Sequence, residues 1–182
     1  EKQQIIINET SFSYSADNID IQRFTGTIVH KYLEIIVTKQ LDINYLLSNK
    51  LDYIKSLFTL NKFKLKDINH ALNLVKRSLE MLKKSPDGQW IMSKHIDDNS
   101  ESGYLIQVND DTNQLIPDRS FIENNVQWII DYKTPYSPIK NLDMEAKKHC
   151  EQLNNYERIF KGNGMPIQKA IYFPPEGKLV KL

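Results

Sequence analysis

The sequence predicts an α+β protein in which a helical first half is followed by a strand-rich second half. Two observations carry this. Between residues 25 and 84, apolar side chains recur at steps of three and four, the period of amphipathic helices. Beyond Gly88 the apolar runs shorten and are separated by polar turn residues. That pattern argues for an antiparallel meander over repeated strand–helix–strand units. The 182 residues suffice for one domain with a full core, 1–182. Residues 24–88 form its mainly helical part and 89–182 its sheet core.

Composition narrows the function classes. A net charge of +1 gives no global basic field, so any nucleic-acid surface must be local. The single cysteine, Cys150, excludes a disulfide framework and a four-cysteine metal site within the chain, and it suits a reducing cytoplasm. No apolar run approaches the ~20 residues that span a bilayer, so no membrane partner is expected. The chain opens Glu1-Lys2-Gln3-Gln4, with no signal peptide and no initiating methionine, and reads as a domain of a longer polypeptide.

The elements follow in order. Residues 1–23 read as a strand or extended arm and a loop. Thr25 to Gln40 is a helix capped by Thr25, with Ile28, Val29, Tyr32, Leu33, Ile35 and Ile36 on its apolar face. Gly26, His30 and Glu34 share another face. A glycine so early in a helix costs stability unless something must approach the backbone closely. Residues 41–60 give one or two short helices. Lys62 to Lys84 is the clearest helix, stopped by Ser85-Pro86-Asp87-Gly88. Its solvent face carries Lys62, Lys64, Lys66, Lys76, Arg77, Lys83 and Lys84, which are solvated or available to phosphates. Strands are expected from Gln89-Trp90-Ile91-Met92 and from Gly103 to Val108, with Asp97–Ser102 and Asn109–Asn113 as polar connections. A loop over Thr134–Asn141 precedes a helix from Leu142 to Phe160, ended by Gly162-Asn163-Gly164. Lys169 to Phe173 is a last strand, Pro174-Pro175-Glu176-Gly177 a turn, and Lys178 to Leu182 an edge.

Between them lies the stretch with the chemistry. Ile116 to Thr134 reads as a β-hairpin turning at Glu123-Asn124-Asn125, with Asn suited to left-handed turn conformations. Asp118 and Asp131 are 13 residues apart, so folding at the turn returns both carboxylates to one end. Alternation puts Asp131 and Lys133 on one face and Tyr132 on the other. Converging carboxylates repel unless a cation neutralises them, and oxygen ligands suit Mg²⁺ or Mn²⁺. A lysine beside such an ion can stabilise charge on a phosphate or help position water. The plainer alternative is a salt-bridged strand end. On the later helix Gln152 and Tyr156, four apart, are neighbours, with His149 a turn earlier.

In this order, Gly26-x-x-x-His30, Asp118-Arg119, Ile130-Asp131-Tyr132-Lys133-Thr134 and Gln152-x-x-x-Tyr156 resemble the nuclease domain of the RecB/AddA family within the PD-(D/E)XK superfamily. The resemblance spans about residues 24 to 175. It implies a restriction-endonuclease-like core, a central mixed β-sheet flanked by helices, with an N-terminal helical region. It casts His30, Asp118 and Asp131 as ligands of Mg²⁺ or Mn²⁺, with the Tyr132 carbonyl as a further ligand. Lys133 becomes the catalytic lysine, and Gln152 and Tyr156 orient it or the DNA strand. The implied activity is metal-dependent hydrolysis of DNA by an exodeoxyribonuclease domain serving double-strand break repair. Implied partners are DNA, a helicase domain of the same polypeptide and a partner subunit, in a bacterial, nucleoid-associated cytoplasm. The chain departs from the family at Ile116-Pro117, where a glycine is common. It also lacks a counterpart, among Ser93, Lys94 and His95, for a frequent glutamate. No helicase motif or Gly-Lys-Ser/Thr loop is present. A catalytically inactive nuclease-like module that binds DNA or protein is the alternative, and an enzyme of RNA or another phosphodiester is a third.

Overall fold

The computed structural model describes residues 20–100, 104–108 and 111–182; the expected N-terminal arm falls largely outside them. Five helices come first: α1 (Ile21–Lys39), α2 (Ile43–Asn49), α3 (Leu51–Leu60), α4 (Leu65–Lys84) and α5 (Pro86–Met92). The strands β1 (Ile96–Ser100), β2 (Tyr104–Val108), β3 (Asp111–Leu115), β4 (Arg119–Glu123) and β5 (Val126–Tyr132) follow. Then come α6 (Leu142–Lys147), α7 (Cys150–Phe160), β6 (Ile167–Phe173) and β7 (Lys178–Lys181). The chain is α+β, as the sequence predicts.

Local chemistry moves several boundaries. Asp20, not Thr25, caps α1: its carboxylate accepts the Gln22 N–H at 3.1 Å. Thr25 lies buried one turn inside and donates its hydroxyl to the Ile21 carbonyl at 2.6 Å, so Ile21–Arg23 are helical rather than loop. Ser85-Pro86 does end α4, but it also starts α5. Ser85 Oγ accepts the Gly88 N–H at 3.0 Å and Pro86 occupies the first turn, where its missing N–H costs nothing. Gln89-Trp90-Ile91-Met92 is therefore helix, not strand. The expected Leu142–Phe160 helix breaks at Lys148-His149, whose N–H groups reach back only three residues, to Glu145 and Ala146.

The hairpin forms with the expected turn. Asn124 and Asn125 have φ of 51° and 60°, the pair of left-handed residues that a tight two-residue connection needs. Ile116 lies outside the strand and is 37% exposed. The main sheet runs β1-β4-β5-β6-β7, and β5–β6 is its parallel pairing, so the sheet is mixed. Two polar stretches expected as connections pair as strands. Ile96–Ser100 lies antiparallel to β4, and Asp111–Leu115 pairs with β2 in a separate two-stranded sheet.

Side-chain alternation divides the sheet between two helical layers. Phe121, Trp128, Ile130, Tyr132, Ala170 and Tyr172 pack with the apolar faces of α1, α3 and α4. Ile129, Ile171 and Phe173 pack on the other side with Ala146, Leu153, Tyr156 and Phe160. Central β5, covered on both faces, is accordingly almost continuously apolar. Arg77 on α4 grips the turn before β7, donating to the Pro175 carbonyl at 2.7 Å and pairing with Glu176 at 2.9 Å. The corner between α4 and α5 is tight. A Cβ on Gly88 would meet the Leu82 carbonyl and come within 2.7 Å of the Leu82 Cα. Gly88→Ala is expected to lower unfolding free energy by about 1–3 kcal/mol in urea titrations; unchanged stability would contradict this packing.

Candidate active site

The site begins where β5 ends. Its last core-facing positions place Asp131 on the α7 side and the Tyr132 ring on the α1 side. Asp131 is 3% exposed, an expensive location for a carboxylate unless partners surround it. Three do. Lys133 Nζ lies 2.7 Å from Asp131 Oδ2, an ion-pair contact without a well-directed hydrogen bond. Gln152 Nε2 donates to Oδ1 at 3.0 Å, and the Tyr156 hydroxyl approaches the same oxygen at 3.4 Å.

The helix neighbours expected from spacing complete a closed network. Lys133 Nζ donates to Gln152 Oε1 at 2.9 Å, while Gln152 Nε2 also donates to the Tyr156 hydroxyl at 2.7 Å. Gln152 thus reads the lysine with its carbonyl and the carboxylate with its amide, so its orientation is fixed by chemistry. His149, just before α7, has its pKa lowered by burial and then by the Lys133 charge.

Asp118 immediately precedes β4, and the register Arg119 opposite Ile130 carries it to the Asp131 end of the ribbon. Its Oδ1 is 3.0 Å from His30 Nδ1, and its Oδ2 accepts the Tyr132 N–H. His30 reaches it from α1, its ring edge-on to Tyr132 at 5.7 Å between centroids. Burial first and Asp118 second push Asp131 up to about 6, against the pull of Lys133 and His30. Glu34 is paired with Lys31 at 2.6 Å and Gly26 faces open space.

One imidazole and two carboxylates form a donor set that Mg²⁺ or Mn²⁺ accepts, and the strained Asp131 anion would gain from a cation. As they stand, His30 and Asp118 bond each other while Asp131 turns to Lys133, Gln152 and Tyr156. Among the described residues, no group of three histidine, cysteine, aspartate or glutamate side chains is arranged to hold a metal ion.

Arg119 is a participant that sequence reasoning left without a role. Fully buried, it pairs with Asp98 on β1 at 2.7 Å and donates to the Ser93 carbonyl at 3.0 Å. It thereby clamps the start of β4, and with it Asp118, to β1. An arginine inside an apolar hairpin arm was the available signal; its partner sat in a stretch read as loop.

No family model matches the chain, and no curated protein matches it. No helix among the described residues is long and apolar enough to cross a membrane.

The Asp131 environment sets a pH dependence. Below 3.8 the group is protonated in folded and unfolded chains alike. From there to about 6 the unfolded chain ionises first, the folded chain keeps the extra proton, and stability from this group falls as pH rises. Without divalent cations, Asp131→Asn should gain on the order of 1–3 kcal/mol over wild type between about pH 4 and about pH 7.5. A difference that stays constant across that range in urea titrations contradicts the strained carboxylate.

Proposed function

We propose that this chain is a metal-dependent nuclease domain of the RecB/AddA kind, hydrolysing phosphodiester bonds of DNA. The observation that supports it is the convergence of the Asp131–Lys133–Gln152–Tyr156 network with the Asp118–His30 pair at one end of the hairpin. These residues come from α1, the approach to β4, the end of β5 and α7, and all belong to the motif order that resembles that family. A merely structural salt bridge at the strand end requires neither the second carboxylate nor the imidazole.

In this reading His30, Asp118, Asp131 and the Tyr132 carbonyl hold Mg²⁺ or Mn²⁺. A bound cation would lower the pKa of an attacking water and relieve charge on the scissile phosphate. The protein's own groups do the rest. The Lys133 ammonium, poised by Gln152, stabilises the extra negative charge of the pentavalent phosphate. Tyr156 holds Gln152, and the apolar cover around Ile129 and Phe173 keeps bulk water from the carboxylate. The proposal extends to exonucleolytic action beside a helicase domain of the same polypeptide and a partner subunit, in the bacterial cytoplasm.

A second reading has an observation in its favour. The ligand candidates bond one another and, among the described residues, no three are arranged around an ion, as a catalytically inactive DNA- or protein-binding module would allow. A cleavage assay on end-labelled single- and double-stranded DNA, with Mg²⁺, Mn²⁺ or EDTA, separates the two. Asp131→Ala and Lys133→Ala should each cut cleavage by roughly 100-fold or more with the circular dichroism spectrum retained. Cleavage surviving in either purified variant discards the nuclease reading, and a wild-type domain that never cleaves establishes the inactive one.

A further inference from the structure

On one side of the sheet α7 packs on β5 and β6, and beside it a cavity of about 450 Å³ opens over β1 and β4. It lies toward the turn end of the hairpin, away from Asp131. Its base is built from strand residues in register: Asn99 opposite Ser120, and Ile122 opposite Gln127. Phe160, the last residue of α7, and Met165, before β6, supply an apolar wall, and Asp97 of β1 lines the cavity as well. That volume falls in the range of pockets that hold small organic groups.

The polar atoms here share one sense. Gln127 is 4% exposed, and its Nε2 donates to the Phe121 carbonyl at 3.2 Å and the Trp128 carbonyl at 3.1 Å. Both amide hydrogens are thereby used, and the flipped amide would set oxygen against two oxygens. What remains is Oε1, an acceptor with no partner among the described residues, on a side chain that lines the cavity. Asn99 repeats the pattern: its Nδ2 donates to the Asp97 carbonyl at 3.0 Å, which leaves Oδ1 as an acceptor. The Asp97 carboxylate, an anion, has no ion pair or hydrogen bond with a described residue.

Acceptors without a lysine, arginine or histidine among the lining residues repel phosphate and carboxylate and call for a donor-rich cation. Ca²⁺ takes roughly six to eight oxygens and gains nothing from an apolar wall. An ammonium is a compact point charge. Asp97 and Gln127, however, stand on β1 and β5 with β4 between them, roughly 10 Å across at the backbone. A guanidinium spreads five N–H donors in one plane and is weakly hydrated on its faces, so it can bridge such acceptors and rest on an aromatic ring.

We propose that this cavity binds a guanidinium group, its fork joining the Asp97 carboxylate to Gln127 Oε1 and its flat face lying against Phe160 and Met165. Asn99 Oδ1 takes a further N–H. The site does not depend on the nuclease reading. A free guanidino compound and an arginine side chain of another polypeptide present the same group.

The test is an NMR titration of the 182-residue chain with methylguanidinium, following the side-chain amides of Asn99 and Gln127. Saturable shifts at both are expected. Asp97→Asn removes the charge while asparagine tolerates the left-handed φ of 48° there, and it should weaken binding roughly 10-fold. Asn99→Ala should weaken it roughly 3-fold. Asp97→Lys, which brings an ammonium of the chain's own to the cavity, should abolish it. Propylammonium should bind roughly 5-fold or more weakly than methylguanidinium. Tighter binding of the peptide Gly-Arg-Gly than of methylguanidinium supports a polypeptide source, and the reverse order a free small molecule. Absence of saturable shifts with either, unchanged affinity in Asp97→Asn, or equal affinity for propylammonium overturns the assignment. So does Ca²⁺ shifting the same amides at lower concentration than either guanidinium probe.

Discussion

A carboxylate in the dry interior at the end of the central strand is the constraint that the rest of the site answers. Asp131 is buried, faces a second acid across the hairpin, and is left with a proton affinity well above that of a solvated aspartate. Every neighbouring polar group is arranged around that difficulty. Lys133 supplies charge, Gln152 supplies a directed N–H, and Tyr156 holds Gln152 in place. Removing any one leaves a buried group short of a partner, which is costlier than never having made the bond. Strain of this kind tends to gather where chemistry happens, because a group unhappy in its resting state has the most to gain from a ligand.

Two scaffolds support this centre, and they differ in character. On one side α1 and α4 form an apolar layer from which His30 reaches into the site. On the other, α7 presents a mixed face: Leu153 and Phe160 for packing, Gln152 and Tyr156 for hydrogen bonding. The sheet between them is aligned by Arg119, which ties β4 to β1 through Asp98. A buried arginine is poor evidence of net stability, but it is a stringent register pin: shifted by one residue, its charge would have no counter-ion.

How much of this was legible in the sequence depended on whether the deciding forces were local. The hairpin was, because Asn124-Asn125 and strict alternation act over a few residues. So was the meeting of Asp131 with Lys133, two apart on a strand, and of Gln152 with Tyr156, one turn apart on a helix. What escaped was settled at a distance or by signals with two meanings. Ile96–Ser100 is a polar edge strand, exposed and irregular, with Asp97 at a φ of 48°, so it carries no apolar period. Ser85-Pro86 ends one helix and begins another with the same two residues. The break at Lys148-His149 has neither glycine nor proline to announce it. Asp98 could not be matched to Arg119 before β1 was known to lie beside β4.

The parallel pairing of β5 with β6 has a further consequence. Antiparallel ribbons such as β4–β5 can zip from a tight turn through neighbouring contacts. A parallel partner must instead wait for the whole intervening segment, here α6 and α7, to cross over and close. That same crossover carries Gln152 and Tyr156. Until it docks, Asp131 and Lys133 lack Gln152, Tyr156 and the apolar cover of α7. The network around Asp131 is therefore complete only once that crossover has closed, and lifting the crossover away would undo it.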